Sequence, residues 1–335
     1  LFADVKMPGV TPASFARRCE DVYRRTFASP GATACISDRV ALTGIGESVT
    51  RLGQSRFLIV GAGQAGTQQQ FLGATGIHVG FEEFTSFYEQ VDRDEAASWG
   101  RRWSAEADKV VEAVPEWIAK AGGVYLAMTA LMRKYGTDSI TMNCLGGFGS
   151  GQLPAYPCLG FMQILNDGGQ GVCEAMPDDS VSTLMARILT GRAAYVSDPV
   201  LDTSKNHIVY SHCMALTKVF GPEGPSSKFR IRTLHNRDPR GCCAQSFLPE
   251  GYMTTTFRTD CGRKAMVMHQ AKAIGNLDLD RGCRTQLVGD VVGDIGKLFR
   301  EWDRFGWHRV TVYGDVREPL LEFAKALGLE IIIEA

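Results

Sequence analysis

The stretch from Cys173 to Cys213 constrains what this chain can fold into more than any other. Residues 170–173 are a short apolar run that predicts a strand, and Glu174 follows its end. Asp179 and Ser180 are placed to cap a helix running to about Leu189, and Thr190-Gly191 is its stop. Residues 195–197 read as extended and end in Asp198-Pro199; residues 207–210 read as another strand, with His212 just beyond. Carboxylates and an imidazole at strand ends are well placed to converge, and together they suit a hard or borderline divalent cation such as Mn²⁺ or Mg²⁺. The same residues fit plainer roles. Acids after strands cap helices or make turns, and a histidine before a cysteine fits a hydrogen-bonded core position.

The two sides of this stretch differ in texture. Upstream, Phe57-Leu58-Ile59-Val60 reads as a buried strand that runs into Gly61-Ala62-Gly63-Gln64-Ala65-Gly66. A helix is expected next, then a strand at 77–79 with Glu82 and Glu83 after it. In form this is the dinucleotide fingerprint, with Gly61, Gly63 and Gly66 offering amides to phosphates at a helix start. A glycine-rich loop kept for geometry alone is the competing reading, because the expected helix is Gln-rich and interrupted by Gly73. Residues 94–120 predict a long surface helix bent or broken near Pro115, 125–135 a second helix, 139–144 a strand and 158–166 a helix. Residues 146–157, with four glycines, read as the loosest loop. Alternating strands and helices imply a mostly parallel sheet.

Downstream of Gly191, short strand-like runs at 228–233, 243–247, 252–258 and 265–269 are separated by turn residues, as in an antiparallel barrel or sandwich. The end returns to α/β, with a helix at 295–305, a strand at 309–313 headed by His308, a helix at 318–327 and a last strand at 330–334. The expected fold class is therefore α/β: a Rossmann-like parallel domain over 51–190, then a β-rich, barrel-like domain over 191–335 with terminal α/β elements. Residues 1–50, with a helical piece at 12–27, read as the remnant of a preceding domain or a linker. The start at Leu1 in mid-pattern reads as a fragment or a processed form.

Composition bounds the function. The 335 residues are 44% hydrophobic and 22% charged, ordinary for a globular protein with a sizeable core. A formal net charge of −1 gives no general attraction to nucleic acid, and no apolar run reaches the roughly 18–20 residues of a membrane span. Ten cysteines form no C-x-x-C pair, which argues against a zinc ribbon, and several sit in apolar, strand-like contexts, as buried reduced thiols do. A cytoplasmic location is expected.

The order Glu174, Leu189-Thr190-Gly191, Asp198, with His308 heading a strand that ends in Tyr313-Gly314, resembles the L-fucose isomerase and L-arabinose isomerase superfamily over roughly residues 55–335. The resemblance implies Mn²⁺, or another divalent ion such as Mg²⁺, held by Glu174, Asp198 and His308. His212 falls where the arabinose-isomerase branch has a further ligand. It also implies a small-molecule sugar as substrate, no nucleic-acid or membrane partner, and a trimeric or hexameric homo-oligomer. The reaction implied is aldose–ketose isomerisation through an enediol, with Glu174 and Asp198 as the proton-shuttling pair. Arg284 is a candidate contact to a sugar hydroxyl. Two alternatives stand beside this reading: an NAD(P)-dependent oxidoreductase using the glycine loop, and a non-catalytic sugar-binding member of the fold.

Overall fold

The structure, a computed structural model, describes residues 35–335 apart from 236, 237 and 239. The helix expected at 12–27 lies outside the described residues. The chain forms a mixed α/β structure with two main sheets. The first is built from β1 (Arg56–Val60), β2 (Gln68–Phe71), β3 (Ala74–Val79), and, after the two-residue β4 (Lys109–Val110), β5 (Ser139–Met142) and β6 (Gln170–Cys173). Its order is β2-β3-β1-β5-β6. β3, β1, β5 and β6 run parallel, and β2 closes one edge antiparallel to β3. β1 is buried from Phe57 to Val60, as its unbroken apolar run requires.

The second sheet takes β7 (Tyr195–Asp202) and β8 (His207–His212), then, beyond β9 (Phe229–Arg232) and β10 (Cys243–Ser246), β11 (Met253–Asp260), β12 (Ala265–Asn276), β13 (Thr285–Val292), β14 (Arg309–Tyr313) and β15 (Glu330–Ile333). The order β11-β14-β7-β8-β13-β12, with β12 pairing back onto β11, closes a six-stranded antiparallel barrel. β15 adds to β12 in parallel. Closure leaves the six strands no free edge among themselves. One continuous apolar core joins both sheets, from Phe57 and Val172 through Leu184 to Val196, Phe257 and Val310.

Helices fill the rest: α1 (Ile45–Gln54), α2 (Phe81–Glu89), α3 (Arg93–Glu106), α4 (Pro115–Tyr135), α5 (Cys144–Gly149), α6 (Cys158–Asn166), α7 (Pro177–Thr190), α8 (Ile295–Glu301) and α9 (Arg317–Ala326). Several expectations are corrected. No helix follows the glycine loop; the chain turns directly into the β2–β3 hairpin, whose tip is made by Leu72 and Gly73 at positive φ. Glu82 and Glu83 lie in the first turn of α2, and Glu83 binds Lys134 and Tyr135. The long helix expected at 94–120 is two helices split by residues 107–114, because Pro115 starts a helix well at its first position and α4 then runs unbroken to Tyr135. Gly122 and Gly123 do not stop it. A Cβ at Gly122 would stand 2.2 Å from the Ala96 carbonyl oxygen, so the glycine lets α3 and α4 pack closely. The loop at 146–157 opens with the short helix α5, capped by Asn143 accepting from the Gly146 amide. The helix expected at 295–305 ends at Glu301, and residues 302–305 tighten into a 3₁₀ turn. β13 was not anticipated from the pattern of residues 285–292.

Candidate metal centre

The carboxyl ends of parallel strands are where ligands bind in open α/β sheets, and Glu174 stands at the end of β6. It and Ala175 adopt the left-handed conformation, φ 67° and 53°. Two successive side-chain-bearing residues there are strained, of order 1–3 kcal/mol each. The turn is held by the Ala175 amide donating to the Met142 carbonyl at 3.0 Å and the Met176 amide donating to Thr141 Oγ1 at 3.2 Å. The carboxylate is thereby aimed off the first sheet toward the barrel.

The barrel register supplies the other groups. Arg309 pairs with Ser197 across β14 and β7, which sets His308 against Asp198. Asp198 pairs with Ser211 across β7 and β8, which brings His212 beside it. His308 Nε2 lies 3.3 Å from Asp198 Oδ1 and 3.7 Å from Glu174 Oε2. His212 Nε2 lies 4.0 Å from Asp198 Oδ2, and the two imidazoles meet edge to face with centroids 5.5 Å apart. Thus Glu174, Asp198, His212 and His308, separated by up to 134 positions of sequence, stand at one place. Donor atoms of Glu174, His212 and His308 all lie within 4.8 Å of one another.

The two histidines are held differently. His308 is fully buried, and its Nδ1–H donates to Asp179 Oδ2 at 2.6 Å. Nε2 therefore carries the lone pair, faces two carboxylates, and is a buried nitrogen with no hydrogen-bond partner. Without a positive charge that arrangement is repulsive. A cation at Nε2, whether a proton or a metal, relieves it, and a carboxylate behind a histidine is the usual outer partner of a metal-bound imidazole. Burial alone would lower the His308 pKa, but Asp179 and then Asp198 raise it to about 10, so a proton occupies that place in the metal-free protein. In the same cluster partial burial works against the charge of Asp198, and the His308 and His212 rings outweigh it and hold the carboxyl below its ordinary range. His212 has Nδ1 accepting from the Met214 amide at 3.1 Å, so the neutral ring carries its proton on Nε2 and presents no lone pair there in this arrangement. Burial, and then His308, lower its pKa and keep it neutral.

Asp179 was read as a helix cap. α7 instead begins at Pro177 with no side-chain cap, and Asp179 is fully buried, accepting from His308 and, through Oδ1, from Arg258 Nε at 2.8 Å. Nothing in Pro-Asp-Asp-Ser distinguishes a buried acid from a capping one; only the fold does. Arg284 is 1% exposed. Its guanidinium donates to the carbonyls of Thr233 and Leu234 at 2.9 and 3.2 Å and to Asp280 at 3.1 Å, so each of its three nitrogens has a partner in the fold. The glycine loop is closed on itself: His78 Nδ1 lies 2.8 Å from the Ala62 carbonyl, and a Cβ at Gly63 would strike the His78 ring. No helix follows the loop in sequence, so the strand–loop–helix arrangement of the dinucleotide fingerprint is not formed.

No family model matches the chain. The chain is similar to the sulfoquinovose isomerases of Priestia aryabhattai and Priestia megaterium (strain ATCC 12872 / QMB1551), at 30% identity over 202 residues, 58% of this chain and 43% of each of those proteins. It is similar to the sulfoquinovose isomerase of Clostridium sp. (strain MSTE9) at 25% identity over 216 residues, 62% of this chain and 46% of that protein. The chain thus spans under half the length of the curated relatives it matches. Among the described residues no helix is long and apolar enough to cross a membrane. The similarity makes this chain a homologue, at 25–30% identity, of proteins named as sugar isomerases.

Proposed function

We propose that this chain carries the metal centre of an aldose–ketose sugar isomerase of the L-fucose and L-arabinose isomerase type. The observation that carries the reading is His308: buried, tied by Nδ1 to Asp179, with an unpartnered Nε2 aimed between Glu174 and Asp198. Two carboxylate oxygens and one imidazole nitrogen suit Mn²⁺ or Mg²⁺, and they would be its ligands; His212 would join them only with the Met214 amide withdrawn from Nδ1 and the ring proton moved there. When bound, such an ion supplies the Lewis acidity that stabilises negative charge developing on the sugar oxygens.

The chain's own groups supply the rest. One carboxylate of the Glu174 and Asp198 pair takes the proton from C2 of the aldose and returns it to C1, while a second proton passes between O1 and O2; no atom is gained or lost. Asp198 is held ionised by the two rings, which leaves it in the state that can accept a proton. Arg258 and Asp179 keep His308 from rotating, so Nε2 stays aimed at the site. The relatives' name points to a sulfonated six-carbon aldose as the first substrate to try. The test is isomerisation of sulfoquinovose, and of unsulfonated aldoses, in D₂O with added Mn²⁺. Ketose formation with deuterium entering carbon, lost in Glu174→Gln, supports the reading. No turnover of any aldose by folded, Mn²⁺-loaded protein overturns the isomerase assignment for this chain.

A further inference from the structure

A second cluster lies next to the first along the chain. Cys213 follows His212 at the end of β8, and the pairing of His212 with Thr285 brings Cys283 to the same end of the β8–β13 pair. His235 comes from the turn after β9. The sulfurs of Cys213 and Cys283 each lie 3.6 Å from His235 Nδ1, and all three donor atoms lie within 4.8 Å of one another. These thiols are free cysteines.

We propose that Cys213, His235 and Cys283 form a soft metal site that takes Zn²⁺. Zinc–sulfur bonds of about 2.3 Å and zinc–nitrogen bonds of about 2.0–2.1 Å at a tetrahedral angle place sulfur and nitrogen about 3.6 Å apart, the spacing seen twice here. Two thiolates and an imidazole select zinc over Mn²⁺ or Mg²⁺, which prefer oxygen. The ligands are also held in place. Arg284, beside Cys283, donates to the carbonyls of Thr233 and Leu234, which fixes the turn that presents His235. Cys243 backs the site, donating its thiol to the Thr233 carbonyl at 3.5 Å. His235 is exposed and Cys283 half-buried, so an ion has an entry path, and the fourth position is left to a solvent ligand. Binding releases the two thiol protons and forms two zinc–sulfur bonds, with no redox step. The two adjoining sites therefore sort metals by donor chemistry, oxygen-rich at Glu174 and sulfur-rich at Cys213. The zinc site also ties down the segment that carries His212. This assignment does not rest on the isomerase reading.

Cobalt(II) titrated into the reduced chain is the test, because thiolate-bound cobalt gives a near-ultraviolet charge-transfer band that carboxylate-bound cobalt lacks. The band is expected in the wild type at about one cobalt per chain, retained in Glu174→Gln and Cys261→Ser, and lost in Cys283→Ser. His235→Ala, at an exposed position, is expected to fold and to weaken Zn²⁺ in competition with a chromophoric chelator by more than about 10-fold, the loss already typical of an outer partner. No band in the folded, reduced wild type, a band surviving in Cys283→Ser, loss of the band in Glu174→Gln, or unchanged zinc affinity in His235→Ala would overturn the proposal.

Discussion

His308 and Arg309 are consecutive, yet they serve two buried charge clusters of opposite design. Arg309 points into the barrel. It grips Glu334 through both carboxylate oxygens at 2.7–3.1 Å; His269 binds the same carboxylate at 2.7 Å, and Tyr210 meets the far nitrogen of His269 at 2.7 Å. Thr256 and Thr311 extend the chain of hydrogen bonds. Each member comes from a different place in the barrel and has a partner. His308, one residue before β14 and facing the other way, belongs to a cluster with an excess of acid, in which Nε2 faces Asp198 and Glu174 at 3.3 and 3.7 Å without a well-formed hydrogen bond to either. The difference separates structure from function. A fully paired buried network holds a fold together, whereas a half-paired one is tolerated where something else completes it.

The comparison can be broken at either cluster. The largest effect is expected at the open one: Glu174→Gln or Asp198→Asn takes away a carboxylate of the proposed proton-transfer pair and lowers turnover by on the order of 10²–10⁴-fold, while the thermal midpoint of the metal-free protein changes little in Glu174→Gln. Steady-state kinetics and calorimetry on the same preparations check both halves. Glu334→Gln at the closed cluster is expected to do the reverse. It leaves Arg309 buried without its counter-charge and destabilises by roughly 3–5 kcal/mol, read as a denaturant midpoint. Asp179→Asn falls between the two, loosening His308 and lowering Mn²⁺ affinity by about 10–100-fold.

The clusters should also fail at opposite ends of the pH scale. His308 is raised from its ordinary 6.5 to about 10, so its contribution in the metal-free protein is full below 6.5 and lost as pH rises through about 10. Glu334 is the mirror case. Burial alone would raise it, but Arg309 and His269 hold it at about 2, so its contribution is full above its ordinary 4.5 and lost as pH falls toward 2. Melting curves against pH check this: His308→Ala should flatten the alkaline limb, and also soften the acid limb because His308 helps hold Asp179 and Asp198 below their ordinary range, whereas Glu334→Gln should flatten the acid limb. Because a proton and the metal compete for His308 Nε2, Mn²⁺ affinity should rise about tenfold per pH unit over the neutral range. The smallest effect is expected at the glycine loop. Gly66 has φ +83° and open space around it, so Gly66→Ala costs about 1 kcal/mol of backbone strain and leaves Mn²⁺ affinity unchanged.

Elements with a strong local pattern were legible in the sequence. The strand ending at Cys173, the helix over Cys158–Asn166 and the strand Arg309–Tyr313 fall where their apolar runs place them. So does the barrel, announced by short strands and turns after Gly191. β13 was missed because Gly289 and Asp290 interrupt its apolar run, although the strand is paired on both sides. The helix after the glycine loop was an error of analogy: polar Gln68, Gln69 and Gln70 suit an exposed edge strand as well as a helix surface. Glu174, His212 and His308 lie at or next to strand ends, as expected; Asp198 does not, because β7 runs on through Pro199 to Asp202, and it is the register of β7 with β8 and β14 that brings Asp198 to the histidines. Asp179 was not anticipated at the site, because burial decides its role and sequence does not show burial. The Cys213, His235 and Cys283 cluster escaped for a related reason: its members come from three separate segments, so no local C-x-x-C spacing marks it.

The most direct test is stoichiometric Mn²⁺ binding to the metal-free chain by calorimetry, with His308→Ala and Glu334→Gln as the paired variants. The predicted result is about one Mn²⁺ per wild-type chain, binding abolished in folded His308→Ala, and binding retained in Glu334→Gln at a temperature where that variant is still folded. Folded wild-type protein that binds no divalent ion, or His308→Ala that binds as the wild type does, would contradict the assignment of the open cluster as a metal centre.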